Sequence, residues 1–516
     1  MQIEKEYTVG REINTLRCES VGEYSLPDYN GDVKKVLLVK TQVYPSGKFV
    51  GDDLLEFSGS VGYEVVYVDG ENNVTHAEFS TDYEAAVKIN SDNYVDSDVN
   101  TMVSSYNIRL IGPRKFSVKC TLDSDVRISE RREHSIDGDA FMEYEPEYIS
   151  TTAKVYTSMF ASGEARDINE EILSLDGAIV DEVEVLLCDV RPDLMISEKN
   201  ESSLTLKGNL QVDLLYKNSD NILKRVGKEI PYTEEVDFDG ADGFESLEFR
   251  VDTVNKKTTI IPTDDGVTLG VSASIIPKVY AKKNGTLELV TDMYLKERGT
   301  DNEYSDFGYT EYVCTENYRS EMSAKCSLSD LDIDSISDII CTDAVLRSEN
   351  CEIVDQGVNI SGEIRFSAIA CQVTEDGERT YLPVKFSEPY EQYVNVSCQI
   401  RDNMRANCSV CLEKLKMEID DNGIVASGDI SATVSIVADK RQRCLGASYI
   451  TDDEYNLDDS VITVYYPDAS ESLFDIAKKF HTSVGTIAES NRLTEAVFAS
   501  SSQPLTASGV TKLLIK

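Results

Sequence analysis

The sequence predicts a mainly β protein, with three repeated β-sheet domains followed by a small α+β module of order β-α-α-β. Three observations carry that prediction. Hydrophobic residues alternate at period two over long stretches, one such stretch recurs at intervals of roughly 150 residues, and the spacing becomes helical after residue 460. Period-two alternation places apolar residues on one face of a strand, whereas apolar residues three to four apart mark one face of a helix.

The repeat is clearest around Gly59, Gly208 and Gly362. Two residues before each glycine stand Phe57, Leu206 and Ile360, and two after it Val61, Leu210 and Ile364. Tyr63, Val212 and Phe366 follow at four, then Val65, Leu214 and Ala368 at six. Odd offsets such as Ser58, Lys207 and Ser361 are polar, so each stretch reads as a long strand with one face buried. A glycine in the same place in all three predicts a bend or a close backbone approach. Polar turns follow at Asp69-Gly70-Glu71-Asn72, Asn218-Ser219-Asp220-Asn221 and Glu375-Asp376-Gly377-Glu378. The returning strands carry Phe79-Ser80-x-x-Tyr83-Glu84 and Phe386-Ser387-x-x-Tyr390-Glu391, with the looser Ile230-Pro231-Tyr232 in the second copy. Each copy then has a further alternating strand, at Phe116–Ile128, Val267–Ala281 and Ile424–Asp439. This divides the chain into β domains at 1–150, 151–317 and 318–450, an acidic linker at 451–460 and a module at 461–516. Asp137–Glu147, Arg298–Glu311 and Thr451–Ser460 are acidic and poor in aliphatic residues, and read as linkers or long surface loops.

In the last segment, Ile462-Thr463-Val464-Tyr465 reads as a short strand. Ser470-Glu471-Ser472 can cap a helix, because a hydroxyl and a first-turn carboxylate answer the unpaired N–H groups there. Leu473-Phe474-x-Ile476-Ala477-x-x-Phe480 has the spacing of an amphipathic helix, Ser483–Ser490 that of a second ending near Asn491, and Leu513-Leu514-Ile515 closes the module as a strand.

Composition narrows the functional classes. Lys and Arg total 50 against 93 Asp and Glu, a net charge of −43, which opposes nucleic acid or anionic membrane as the main partner. Residues 461–516 hold five acids and five bases, so the charge belongs to the β domains and linkers. There is no Trp and only three His, at 76, 134 and 481, none in a recognisable catalytic string, and no phosphate-binding loop of the Gly-x-x-x-x-Gly-Lys-Ser/Thr type. No catalytic residue is assigned, and the chain reads as non-enzymatic. Asp330-x-Asp332-x-Asp334 resembles the start of a calcium loop but has Ser335 and Cys341 where Gly and Glu are needed. Cys408-x-x-Cys411 is a lone pair that Cys398 or Cys444 would have to join to hold zinc, and it reads instead as part of a Cys-rich strand. No metal and no cofactor are expected. The N-terminal residues show no apolar secretion segment, and no run reaches the ~18 apolar residues of a membrane span. The twelve cysteines, nine of them from Cys314 to Cys444, are therefore expected as reduced thiols filling the core of a soluble, cytosolic chain.

On these motifs, residues 461–516 resemble a LysM module, with Glu471–Phe480 matching its first helix and Ser483–Leu493 its second. The three β domains, on their strand–Gly–strand and Phe-Ser-x-x-Tyr-Glu features, resemble SPOCS domains. Together they are similar to the SPOCS-plus-LysM spore morphogenetic proteins. That resemblance implies a spore-coat scaffold in the mother-cell cytoplasm at the forespore surface. It implies docking of a coat-basement ATPase (SpoIVA-like) through the LysM module, contacts with other coat proteins and, as an alternative, binding of peptidoglycan, an N-acetylglucosamine polymer. The groove that would bind is carried onto Asp468, Ala469, Ser470, Glu471, Ser472, Asn491, Leu493 and Gly509. Charge reversal at Glu471 or Lys478 is then expected to weaken docking without unfolding the module.

Overall fold

The computed structural model describes every residue except 1–3, 29, 141–143, 219, 239–242, 422, 456–461, 469, 495–501, 504–509 and 516. The chain is 77% strand, all of it antiparallel apart from one isolated bridge, with two α-helices among the described residues. No helix among them is long and apolar enough to cross a membrane.

The first ~135 residues form one six-stranded unit. A lone strand β1 (Glu4–Ser25) precedes a meander, β2 (Val33–Gly51), β3 (Leu54–Asp69) and β4 (Val74–Lys88). A hairpin of β5 (Tyr94–Gly112) and β6 (Lys115–Ser135) follows. The meander is one sheet, in order β2-β3-β4; β6 returns between β1 and β5 to make the second, flanking sheet. Inward-facing residues of the two sheets, among them Phe57, Val61, Tyr63, Phe116 and Leu122, form a single buried core.

The same order recurs twice. In the second unit, two strands, β7 (Glu147–Ser162) and β8 (Arg166–Asp176), stand in the place of β1. The meander is β9 (Glu184–Lys199), β10 (Ser203–Lys217) and β11 (Leu223–Asp237), and the hairpin is β12 (Ser246–Thr263) and β13 (Gly266–Tyr294). The third unit has β14 (Arg298–Ser327), the meander β15 (Asp338–Val354), β16 (Gly357–Val373) and β17 (Arg379–Asn395), and the hairpin β18 (Met404–Asp420) and β19 (Gly423–Glu454). In both, the meander's middle strand is central in one sheet and the last strand is central in the other.

The repeated glycine and the repeated tyrosine prove to be one feature. Gly59 lies directly opposite Tyr83, Gly208 opposite Tyr232 and Gly362 opposite Tyr390. A Cβ at these glycines would run into the carbonyl oxygens of Tyr44, Asp193 and Arg347 on the strand at the other side. At Gly59 and Gly362 it would also lie within 2.9 Å of the opposing tyrosine ring or hydroxyl. The missing side chain thus makes room for a cross-strand aromatic, which covers the bare backbone.

The units are not independent. Seven residues after the glycines stand Val66, Leu215 and Ile369, paired with Leu38, Leu187 and Cys341. All six, with Leu37, Leu186, Ile340, Val74, Leu223, Cys371 and Tyr381, form one buried cluster to which every meander contributes. The apolar run at Val183–Val190 supplies Leu186 and Leu187 to this junction. Two residues beyond the paired leucines and cysteine, Lys40, Asp189 and Asp343 occupy equivalent positions in the three units. Lys40 Nζ lies 3.0 Å from Asp189. Burial pushes the Asp343 carboxyl up, and Lys40 opposes that.

The described parts of three expected loops turn out to be structured. Arg298–Glu311 is the first half of β14, paired with β19 as far as Glu454, so the division at residue 317 cuts a strand and residues 451–454 are strand, not linker. The remainder of the 451–460 segment, apart from Tyr455, lies outside the described residues. Backbone pairing with β19 makes β14 a strand although its acids Asp301, Glu303 and Asp306 point to solvent. In the 137–147 segment, Asp137 exchanges hydrogen bonds with Gly446 and Ser448 and Ala140 is buried, so this connection crosses the third unit. The expectation of twelve free thiols is also corrected: Cys351 and Cys408 form a disulfide joining β15 to β18, across the two sheets of the third unit.

A buried polar network ties the flanking sheets together. Lys282, 3% exposed, lies 3.1 Å from Glu12 and 3.2 Å from Glu248, and donates to Ser435 Oγ at 2.7 Å. Tyr156 and Asn407 donate to Glu12 at 2.7 and 2.6 Å. Burial alone would raise the Glu12 carboxyl; the charge of Lys282 and the Tyr156 hydroxyl outweigh it and hold the value down to about 2. Lys282→Met leaves two carboxylates without their cation and should cost about 3–5 kcal/mol, read from urea unfolding at pH 7. Since Glu12 titrates lower folded than unfolded, its contribution is complete above its unfolded value of 4.5 and fades as pH falls toward 2. The stability gap between wild type and Lys282→Met should therefore narrow over that window.

Candidate docking module

Beyond the β units, β20 (Thr463–Tyr465), α1 (Leu473–Lys479), α2 (Val484–Asn491) and β21 (Leu513–Ile515) follow the expected β-α-α-β order. Ser472 caps α1: its Oγ accepts from Asp475 N–H at 3.1 Å, and the Asp475 carboxylate accepts from Ser472 N–H at 2.9 Å. Ser483 caps α2 by accepting from Thr486 N–H at 2.9 Å. The inward residues Leu473, Phe474, Ile476, Ala477, Val484, Ile487, Leu513 and Ile515 make the core.

The module is seated on the end of β13. Tyr294 is buried within the module's own core, donates its hydroxyl to Thr482 O at 2.6 Å and meets Phe474 edge to face at 5.2 Å. Lys478 Nζ lies 2.7 Å from both carboxylate oxygens of Asp292, which also accepts from Tyr304 at 2.8 Å. Lys478 is therefore a contact to the β body, and its side chain is not held out for a partner.

The residues assigned to the groove divide by role. Glu471 accepts from Tyr465 OH and Asp468 N–H, each at 2.8 Å, and lies 3.5 Å from Lys479. The Asp468 N–H bond is the chief cause holding its carboxyl below the usual range. Asn491 donates to Ile487 O at 2.8 Å and Leu514 O at 2.7 Å, and accepts from Leu514 N–H at 2.7 Å. Its carboxamide thus pairs the outer edge of β21 as a neighbouring strand would. Leu493 packs against the module core and Ser472 is a helix cap. Glu471, Ser472, Asn491 and Leu493 hold the module together, and the expectation that Glu471 could be reversed without damage to the fold is corrected on that ground. Asp468 and Ser470 are exposed; Ala469 and Gly509 lie outside the described residues, as does most of the 491–510 loop.

What the motif reading missed is the other side of the sheet. Ile462, Val464 and Tyr466 alternate outward, 58%, 52% and 69% exposed, and Leu514, 40% exposed, lies across from Val464. The period-two alternation of 462–466 was legible; that the outer set of residues is the apolar one was not, because the inward Thr463 and Tyr465 obscure it.

A concavity of about 980 Å3 opens among all three units, beside Lys40 and Asp189. Within its charged lining, Lys256 pairs with Glu64 at 2.6 Å and Arg250 with Asp98 at 2.6 Å. No grouping of three or more His, Cys, Asp or Glu that could hold a metal ion occurs among the described residues.

Asn491→Ala removes three hydrogen bonds at once and should loosen the module by about 2 kcal/mol. Hydrogen exchange at residues 484–491 and 513–515 should accelerate while the β units keep their protection.

No protein-family model, no curated protein and no solved structure matches the chain.

Proposed function

We propose that this protein is a non-enzymatic spore-coat morphogenetic scaffold of the SPOCS-plus-LysM kind, similar to clostridial SipL and more loosely to SpoVID. It works in the mother-cell cytoplasm at the forespore surface. Its C-terminal module docks the coat-basement ATPase (SpoIVA-like), and the acidic β body contacts other coat proteins. The shared order of meander and flanking sheet in the three units, with two strands in place of one in the second, supports reading them as SPOCS-like repeats, and the β-α-α-β order with its capped first helix supports the LysM reading.

The observation that carries the docking role is the bare apolar face of Ile462, Val464, Tyr466 and Leu514 on a module otherwise neutral in charge. Contiguous exposed apolar side chains of this kind mark protein contacts. The seating of the module through Lys478–Asp292 and Tyr294 turns that face to a fixed direction. Several linked contacts on a crowded surface then add effective concentration, so no single one need be tight. One observation favours the alternative, peptidoglycan binding: the exposed ring of Tyr466 is a flat apolar surface against which a sugar can lie.

The two readings separate in one experiment on the full-length protein. Val464→Asp should weaken capture by the immobilised coat-basement ATPase at least about tenfold, with neither protein sedimenting with insoluble peptidoglycan. Sedimentation of the wild type with glycan and no capture by the ATPase would replace this reading with the alternative. Undiminished capture of Val464→Asp would place the docking face elsewhere.

A further inference from the structure

The third unit holds a second pair of cysteines beside its disulfide. Cys314 lies on β14, in the flanking sheet, and Cys398 on the connection 396–403 that carries the chain from β17 of the meander to β18 of the flanking sheet. Their sulfurs are 3.4 Å apart, with the Cys314 thiol donating toward Cys398. Both residues are half-buried. Nearby, Ser397 N–H donates to Glu316 Oε1 at 3.0 Å, so the connection already rests on β14. Val396, Cys398 and Ile400 face the unit's core, which holds the two sulfurs in place.

We propose that Cys314 and Cys398 are a site of oxidative cross-linking, at which a low-molecular-weight disulfide converts the two thiols into a second covalent tie across the third unit. Only a short approach separates the contact from the ~2.05 Å of a bond. Where the existing disulfide joins β15 to β18, the new one joins β14 to the crossover ahead of β18. The two ties close the sandwich at separate places, and the chain enclosed by the second spans 84 residues in sequence.

The order of events follows from the hydrogen bond. The Cys314 thiol donates toward Cys398, and burial, then that hydrogen bond, pushes it up, so it keeps its proton while Cys398 attacks. The Cys398 thiolate displaces one thiol from the reagent disulfide and forms a mixed disulfide. Cys314, as it loses its proton, attacks the Cys398 sulfur of that adduct and expels the second thiol. Two protein thiols are oxidised to one disulfide, and the reagent disulfide is reduced to two thiols.

The test uses the full-length protein and glutathione disulfide as the probe. After incubation, the remaining thiols are blocked with iodoacetamide in denaturant and the chain is cut with trypsin without reduction. The tryptic fragments 299–319 and 386–401 each contain one cysteine, Cys314 and Cys398. They should be recovered joined. In Cys314→Ser, Cys398 should carry one glutathione that has nothing to displace it; in Cys398→Ser, Cys314 should be recovered alkylated and free of glutathione. Recovery of both wild-type fragments singly alkylated, while the exposed Cys411 carries glutathione, would overturn the cross-link. An adduct on Cys314 in Cys398→Ser would overturn the order of attack.

Discussion

Each meander leaves one apolar patch that its own unit cannot cover. The even-offset face of its central strand packs on the flanking sheet of the same unit, but Val66, Leu215 and Ile369 point to the opposite side. With Leu38, Leu187 and Cys341 beside them, they are buried only because the three meanders meet. At ~1.5–3 kcal/mol per large side chain, a junction of thirteen residues exceeds the net 5–15 kcal/mol that keeps a typical domain folded. The rest of the body depends on it. The Lys40–Asp189 pair survives desolvation because the junction holds its partners in place, and the Lys282 network spans the three flanking sheets only while the meanders keep them in register.

This arrangement also bears on the charge of −43. An acidic chain repels itself, and separate acidic domains on flexible linkers would spread apart. Here the described parts of the connecting segments are strands or are laid against a neighbouring unit, and cations are placed where the units meet. Lys40, Lys282, Arg250 and Lys217 each reach carboxylates across a boundary or beside one. The body then carries the terminal module at the end of β13, oriented by Tyr294 and Asp292, so that the exposed apolar face of Ile462, Val464, Tyr466 and Leu514 and the acidic surface stand in a fixed relation.

Much of the strand content was legible in the residues. The even-offset alternation placed β3, β10 and β16 and their buried faces, and the helical spacing placed α1 and α2. The junction was visible in principle, because alternation fails after the sixth offset, at Val65-Val66-Tyr67, Leu214-Leu215-Tyr216 and Ala368-Ile369-Ala370, where both faces become apolar. A strand buried on both sides implies a second partner, and one repeat taken alone offers none. Arg298–Glu311 was illegible for the opposite reason: β14 is held by backbone pairing with β19 and buries few aliphatic side chains, so composition resembles a loop. At the module, Glu471 and Asn491 have the residue types of a binding groove, and only the positions of Tyr465 and Leu514 reveal that their hydrogen bonds are already made. The pairing of Cys351 with Cys408, 57 residues apart, depends on a sheet-to-sheet contact that spacing does not encode.

The most direct measurement is hydrogen exchange on Leu187→Asp, which puts a charge into the junction from the second unit alone. A shared core predicts that protection falls together at three places: around Leu186–Val190, at Val65–Tyr67 in the first unit and at Ala368–Cys371 in the third. Loss confined to the second unit, with the other two keeping wild-type protection, would contradict the account and return the chain to three independently folded domains.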